Sequence, residues 1–495
     1  MDLNRTEVDG VPIYWTAGTG PLTAHLIFRV GVRDETFLTT GLTHLVEHLV
    51  MSGAVDRRLE CNANVDLTFT RFTVTGGEES VASFLSKICA SVSAPPLVRL
   101  GVEKKILGAE SGTVVSPPIA ALLRRRFGLT SLGLADVVPP ALDSLGEQDV
   151  LGLIRSHFTA GNAAVAMAGG RPAPELALAL PSGRRQLPRG PVPVGLPLPM
   201  WFEYEGQVLG LSFQVPAGTD QECEAARTVG RIVCDRAYDL LRQQHGWIYD
   251  IDFRFFQASD GVGYLCFEAD PPAKHGEEVR LGLAGILTDL QGHGPTDAEL
   301  AANLAELTTY LADPRSGIEV ASAAAEAYLM EAAVLTPADK MDLASGVGRE
   351  TCRAVLANWL ETLIVGMPEG ISPADDTLSP EKARSYPAIT GREFRRGLRG
   401  AFYGVPRGTR LVVGEDGVSC LGSGQDTSIR WDDVVGLELT GPGALAIIGA
   451  DSLSMELQDV WFSDGRRAFQ MISDRIDPSM KFVPASVSDP SVRTG

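Results

Sequence analysis

Two periodicities alternate along most of this chain before its character changes near the end. Over residues 1–182, apolar runs at 22–32, 68–74 and 162–168 read as strands. Stretches at 41–52, 78–93 and 99–115, with apolar residues three and four apart, read as helices. Strands and helices mixed at this spacing describe an α+β domain. Residues 183–199 then carry Pro188, Pro191, Pro193, Pro197 and Pro199, which favour an extended linker over helix or central strand. From 200 to about 405 the alternation returns, with strands at 206–214, 249–257 and 263–269 and helices at 221–243, 275–291, 296–311, 321–335 and 349–364. Element order is similar in the two halves, without obvious identity. Between 408 and 478 short strands follow one another, at 410–413, 417–421, 427–431, 434–439, 444–448 and 453–457, and a helix at 466–476 closes the series. That spacing predicts a small, mostly β domain. Residues 479–495, rich in Ser, Pro and Asp from Pro484 onward, read as a flexible tail.

One helix carries chemistry. His44-Leu45-Val46-Glu47-His48 sets two imidazoles four apart with a carboxylate between them, the inverted zincin order. On a helix His44 and His48 share a face and Glu47 lies beside them. Neutral imidazoles suit Zn²⁺, and a neighbouring carboxylate that is not a ligand can take a proton from water. The competing reading is a helix whose histidines pack or hydrogen-bond without a metal. Leu42, Leu45, Val46 and Leu49 form an apolar stripe, and a polar cluster on a buried helix needs partners, which a metal supplies to all three groups. Two nitrogen ligands leave a zinc site incomplete. Glu103 and Glu110, seven apart on the 99–115 helix, face the same way and offer an acidic ligand; solvated surface carboxylates are the alternative.

These residues resemble the pitrilysin family of metallopeptidases, which includes insulin-degrading enzyme and the mitochondrial processing peptidases. Gly41-Leu-Thr-His44-Leu-Val-Glu47-His48 with Glu103 and Glu110, Asn62-Ala63 followed by Thr70-Arg71-Phe72, and Leu241-Arg242-Gln-Gln-His-Gly246-Trp-Ile-Tyr249 are similar to its motifs. The interval from His48 to Glu110 is shorter than is usual there, the missing length falling between Gly53 and Asn62. The resemblance implies two halves of the same sheet-and-helix fold and Zn²⁺ on His44, His48 and Glu110. It further implies Glu47 as the general base, Glu103 orienting a ligand, and Asn62 and Ala63 on a strand that holds peptide. Arg242 and Tyr249 would reach the zinc of another half, so a homodimer with composite sites is expected; a heterodimer with a sister subunit is the alternative. Residues 429–434 and the last helix resemble small pleckstrin-homology-like domains. The implied activity is a zinc metalloendopeptidase acting on a peptide substrate. A non-catalytic assembly subunit and a binding protein worked by its C-terminal domain are the other classes.

Composition narrows the setting. A length of 495 residues with 44% apolar content predicts about three domains. Net charge −19 disfavours nucleic acid as a partner. The one compact basic cluster, Arg124-Arg125-Arg126, reads as a solvated helix face. No apolar run approaches the ~20 residues of a membrane span, and the first residues lack a basic-then-apolar signal. Seven scattered cysteines without Cys-x-x-Cys pairs argue for reduced thiols. A soluble, cytoplasmic protein is expected.

Overall fold

The computed structural model describes residues 1–18, 20–54, 58–110, 114–258, 261–271, 273–381, 386–424 and 426–484. The first half contains strands β1 (Leu3–Val8), β2 (Val11–Thr16), β3 (Leu22–Phe28), β4 (Glu60–Val65), β5 (Thr70–Gly76) and β6 (Ala163–Ala168). They form one mixed sheet in the order β1-β2-β6-β3-β5-β4. Helices α1 (Leu42–Ser52), α2 (Glu78–Ser93), α3 (Leu100–Ala109), α4 (Pro117–Phe127) and α5 (Glu147–His157) accompany it. The helix predicted over 99–115 therefore ends at Ala109. Alternation explains how β6 serves two layers: Ala163, Val165 and Met167 face α1, α2 and α5, while Ala164 and Ala166 face the opposite side.

The second half repeats the plan with β7 (Met200–Tyr204), β8 (Leu209–Pro216), β9 (Ile251–Gln257), β10 (Val262–Ala269), β11 (Ile364–Pro368) and β12 (Ser379–Pro380), in the order β12-β7-β11-β8-β10-β9. Helices α6 (Asp220–Ala237), α7 (Gly276–His293), α8 (Asp297–Ala312), α9 (Gly317–Leu329), α10 (Pro337–Ser345) and α11 (Arg349–Val355) lie between β8 and β11 in sequence. Their starts are written in sequence. Thr219 with Glu222, Thr296 with Glu299 and Thr336 with Asp339 each form a reciprocal capping box. The predicted helix at 349–364 stops at Val355, because Ile364 begins the buried strand β11 between β7 and β8.

Sheet for sheet, the pairings correspond. β2 runs parallel to β6 as β7 does to β11, and β3-β5-β4 and β8-β10-β9 are antiparallel. The outer strands differ, β1 being antiparallel to β2 and β12 parallel to β7. The far face of each sheet is covered by a helix from the other half. Ala321, Ala324 and Ala325 of α9 pack on Ala164 and Ala166 of β6, small side chains letting the backbones approach. Leu122 of α4 packs with Met200, Phe202 and Ile364. The Arg124–Arg126 cluster is therefore not a solvated face. Arg126, 3% exposed, donates to the carbonyls of Ser212 at 2.9 Å and Thr362 at 3.0 Å, because its helix lies against the second sheet.

Residues 183–199 run without helix or strand and are pinned between the halves, Val194 N donating to Arg126 O at 2.8 Å. The third unit comprises β13 (Gly391–Arg395), α12 (Leu398–Phe402), β14 (Arg410–Gly414), β15 (Gly417–Leu421), β16 (Thr427–Arg430), β17 (Val434–Gly441), β18 (Ala444–Gly449), β19 (Ser454–Gln458), α13 (Gly465–Arg475) and β20 (Lys481–Phe482). Two four-stranded sheets, β13-β14-β15-β16 and β19-β18-β17-β20, share a core that Ala468 and Ile472 of α13 close. Strand pairing moves the expected limits of 405, 408 and 478. β13 is hydrogen-bonded to β14, and β20 to β17, so 391–395 and 481–482 belong with the β unit. Of the predicted tail, residues 485–495 lie outside the described residues, as do 55–57 in the short interval after Gly53. The fold is α+β: two similar sheet-and-helix halves followed by a mostly β unit.

Candidate metal centre

Helix α1 begins at Gly41, whose φ of +86° suits a residue without Cβ; a Cβ there would also stand 2.8 Å from Pro139 Cγ. No side chain of Gly41 can cap the helix, and the buried carboxylate of Glu35 does so instead. It accepts from Gly41 N at 2.9 Å and Thr43 N at 2.7 Å. Burial, outweighing these bonds, raises the Glu35 pKa to about 7. Leu42, Leu45, Val46, Leu49 and Val50 anchor the helix in the core, which turns His44, Glu47 and His48 toward the neighbouring α3.

The three side chains converge. The two imidazoles meet edge to face, centroids 4.7 Å apart, and His44, Glu47 and His48 offer ligand atoms all within 4.8 Å of one another. Glu110 joins them: its Oε2 lies 3.6 Å from His44 Nε2 and 3.5 Å from His48 Nε2. Glu110 sits one residue past the end of α3, in extended conformation, yet its N–H still bonds Ile106 O and Leu107 O. It thus keeps the place that the longer helix would have given it. On the other side of His48, Nδ1 lies 3.5 Å from Glu103 Oε2, while Arg99 Nε donates to Glu103 Oε1 at 2.8 Å.

Electrostatically, acid predominates in the cluster, with Arg99 engaging Glu103 alone among its carboxylates. Three carboxylates gather around two histidines, with Glu47 and Glu103 only 5% and 4% exposed. Glu47 faces the imidazole nitrogens His44 Nε2 at 3.6 Å and His48 Nε2 at 3.9 Å. Burial first, then Glu110 and Glu103, push the Glu47 pKa up to about 8. Burial, reinforced by His48 and opposed by Glu110, holds the His44 pKa below its ordinary value, leaving a neutral imidazole with a free lone pair. Two imidazole nitrogens and a carboxylate oxygen about 3.3 Å apart is the spacing set by ~2.0–2.1 Å bonds to one tetrahedral Zn²⁺. The residues present therefore fit the ion.

Asn62 and Ala63 lie on β4, the edge strand of the first sheet, paired with Thr73 and Phe72. Arg242 and Tyr249 are placed elsewhere. Residues Tyr238–Gln244 continue α6 as a π-helical turn, the chain reverses at Gly246 (φ +66°), and Arg242 Nη1 donates to Tyr249 O at 2.5 Å. The guanidinium lies 4.8 Å from the Tyr249 ring centroid, and that ring is 72% exposed. No hydrogen bond, ion pair or ring contact among the described residues joins Arg242 or Tyr249 to His44, Glu47, His48 or Glu110. A cavity of about 440 Å³ is separate again, lying between Val194, residues 386–390 and Ile429. Two participants were not singled out in the sequence, Glu35 and Arg99. Arg99 could have been found from its four-residue spacing to Glu103; Glu35 had no local signal beyond an acid before a helix.

No family model matches the chain, and no curated protein matches it by sequence. Solved structures do match it by shape. A peptidase M16 inactive domain from Pseudomonas fluorescens superposes with a TM-score of 0.60 at 14% identity, covering 76% of this chain and 100% of that one. The first half of the periplasmic protease PqqL from Escherichia coli gives 0.58 at 12% identity, with 76% and 92% covered. A chain of complex III2 from Candida albicans gives 0.60 at 15%, with 74% and 95% covered. The fold is that of the M16-like peptidases. An M16-like fold alone does not decide catalysis, since one of these neighbours is described as inactive. About a quarter of this chain lies outside each match.

Proposed function

We propose that this chain is a zinc metalloendopeptidase of the pitrilysin type, cutting peptides or leader sequences. The observation that carries the reading is the meeting of His44 Nε2, His48 Nε2 and Glu110 Oε2 within 3.6 Å beside the buried Glu47. Those three residues would hold the ion. Zinc bound there would act as a Lewis acid, polarising the scissile carbonyl and easing deprotonation of water. Glu47 then takes the proton of the attacking water on a carboxylate oxygen and returns it to the leaving amine. Glu103, braced by Arg99, holds His48 through Nδ1. The open edge of β4 at Asn62 and Ala63 offers backbone groups to an extended peptide.

Arg242 and Tyr249 enter by way of a second chain. The exposure of Tyr249 and the separation of both residues from His44, His48 and Glu110 favour a homodimer in which each copy lends this pair to its partner's centre, with Tyr249 as oxyanion donor. A heterodimer with a sister subunit would use the same surfaces. Cysteines scattered singly along the chain, without Cys-x-x-Cys pairs, suit a reducing, cytoplasmic setting, and among the described residues no single helix is long and apolar enough to cross a membrane. The two sheets with a terminal helix in residues 391–482 support a pleckstrin-homology-like reading of the third unit.

A second reading, a non-catalytic subunit, draws on the neighbours in complex III2 and among inactive domains. Cleavage of a quenched peptide by the full chain, with and without a chelator, separates the two. Chelator-sensitive cleavage supports the peptidase; a zinc-loaded chain without turnover supports the subunit.

A further inference from the structure

Segment 391–410 reverses the charge of the molecule. It holds Arg392, Arg395, Arg396, Arg399, Arg407 and Arg410 against a single acid, Glu393, in a chain of net charge −19. At its centre the short helix α12 carries Leu398 at 89% exposure and Phe402 at 93%, with Tyr403 next to them at 65%. Single exposed apolar residues are ordinary on a protein surface. Three within six residues, in a segment that carries six arginines, are not.

The geometry fixes this side outward. Gly397 N donates to Trp461 O at 2.8 Å, and a Cβ on Gly400 would stand 2.3 Å from the same carbonyl. The helix is therefore seated closely on the turn before α13, and Leu398 and Phe402, four apart, project away from that seat. Some arginines are engaged: Arg396 donates to Val405 O at 2.9 Å, Arg392 lies 3.6 Å from Asp464, and Arg410 lies 3.7 Å from Glu393. Arg395, Arg399 and Arg407 form no ion pair among the described residues and stand exposed within a few positions of Leu398, Phe402 and Tyr403 in the chain.

We propose that this tip docks the protein on an anionic lipid surface, Leu398, Phe402 and Tyr403 entering the headgroup boundary while Arg395, Arg399 and Arg407 meet lipid phosphates and carboxylates. The feature is a small convex protrusion. A stable protein interface needs roughly 800 Å² from each partner, more than a five-residue helix offers. A bilayer accepts a wedge of this size and adds charge attraction around it. The acidic remainder of the chain would be repelled, so docking would be local and oriented, presenting one face of the molecule to the membrane.

Sedimentation of the full chain with vesicles tests this, using phosphatidylcholine alone and an equal mixture of phosphatidylcholine and phosphatidylserine. Binding to the mixed vesicles, weakened by high salt and absent from phosphatidylcholine alone, is the expected result. Each of Arg395→Gln, Arg399→Gln and Arg407→Gln should reduce partitioning about fivefold, and Phe402→Ser should reduce it further, all with melting temperatures unchanged because the side chains are exposed. Failure to bind mixed vesicles overturns the proposal, as does binding that both kinds of variant leave intact. A fall in mass by light scattering in Phe402→Ser overturns it too, since the tip would then be a contact between chains.

Discussion

The first and second sheets share one strand order, yet they spend the same place in the fold differently. In each half the helix after the central antiparallel strand lies beside the sheet's edge. In the first half that helix is α1, eleven residues long, and it carries His44, Glu47 and His48. In the second it is α6 with its π-helical extension, ending in Arg242 and followed by Tyr249. The first helix brings the buried Glu47 beside two imidazoles, where Glu103 and Glu110 join it. The second satisfies its polar groups locally: Arg242 bonds the Tyr249 carbonyl, and Tyr249 N and Asp250 N both donate to Asp270. The contrast teaches that one half gathers carboxylates around two imidazoles, while the other sets a half-buried Arg242 beside an exposed Tyr249. Repetition of the fold supplies two equivalent positions, and two complementary halves of a site can occupy them.

The strongest way to break this comparison is to disable each half separately. Glu47→Gln and Arg242→Ala should each lower peptide cleavage ~10²-fold or more. An equal mixture of the two variants, allowed to exchange subunits, should regain about a quarter of the original activity, because a mixed dimer keeps one intact composite site. Full activity in a monomer would end the idea of a shared site. A smaller effect probes the exchanged helices. Ala325, wholly buried on α9 against the first sheet, has no room for extra methyl groups. Ala325→Leu should cost ~1–3 kcal/mol in a denaturant titration, whereas an unchanged midpoint would mean the halves are less tightly joined.

The smallest effect concerns the start of α1. Glu35 titrates near 7 in the folded chain against an ordinary 4.5, so the native state binds its proton more tightly. Its contribution to stability is present below pH 4.5 and is lost as pH rises toward 7. Glu35→Gln should flatten that part of the stability profile, measured by melting temperature between pH 4.5 and 7. An unaltered profile would assign the dependence to other groups.

The helix of His44 and His48, the edge strand at Asn62 and the strands of the third unit were legible because periodicity and motif spacing are local properties. The exchange of α4 and α9 was not. Three adjacent arginines look solvated until Arg126 is seen to bridge Ser212 and Thr362 across the halves, and no local pattern marks alanines that pack on a distant strand. The end of α3 was also misread, although Glu110 stayed in place because its N–H remains bonded to the last turn. The strand at 391–395 escaped notice because its partner, 410–414, lies beyond an intervening helix and turn.

The most direct test of the central claim is metal content together with turnover, measured on the purified chain and on Glu47→Gln. The account predicts one zinc per chain in both proteins, with peptide cleavage lost only in the variant. A chain that binds no zinc, or a Glu47→Gln protein that cleaves as well as the original, would contradict it.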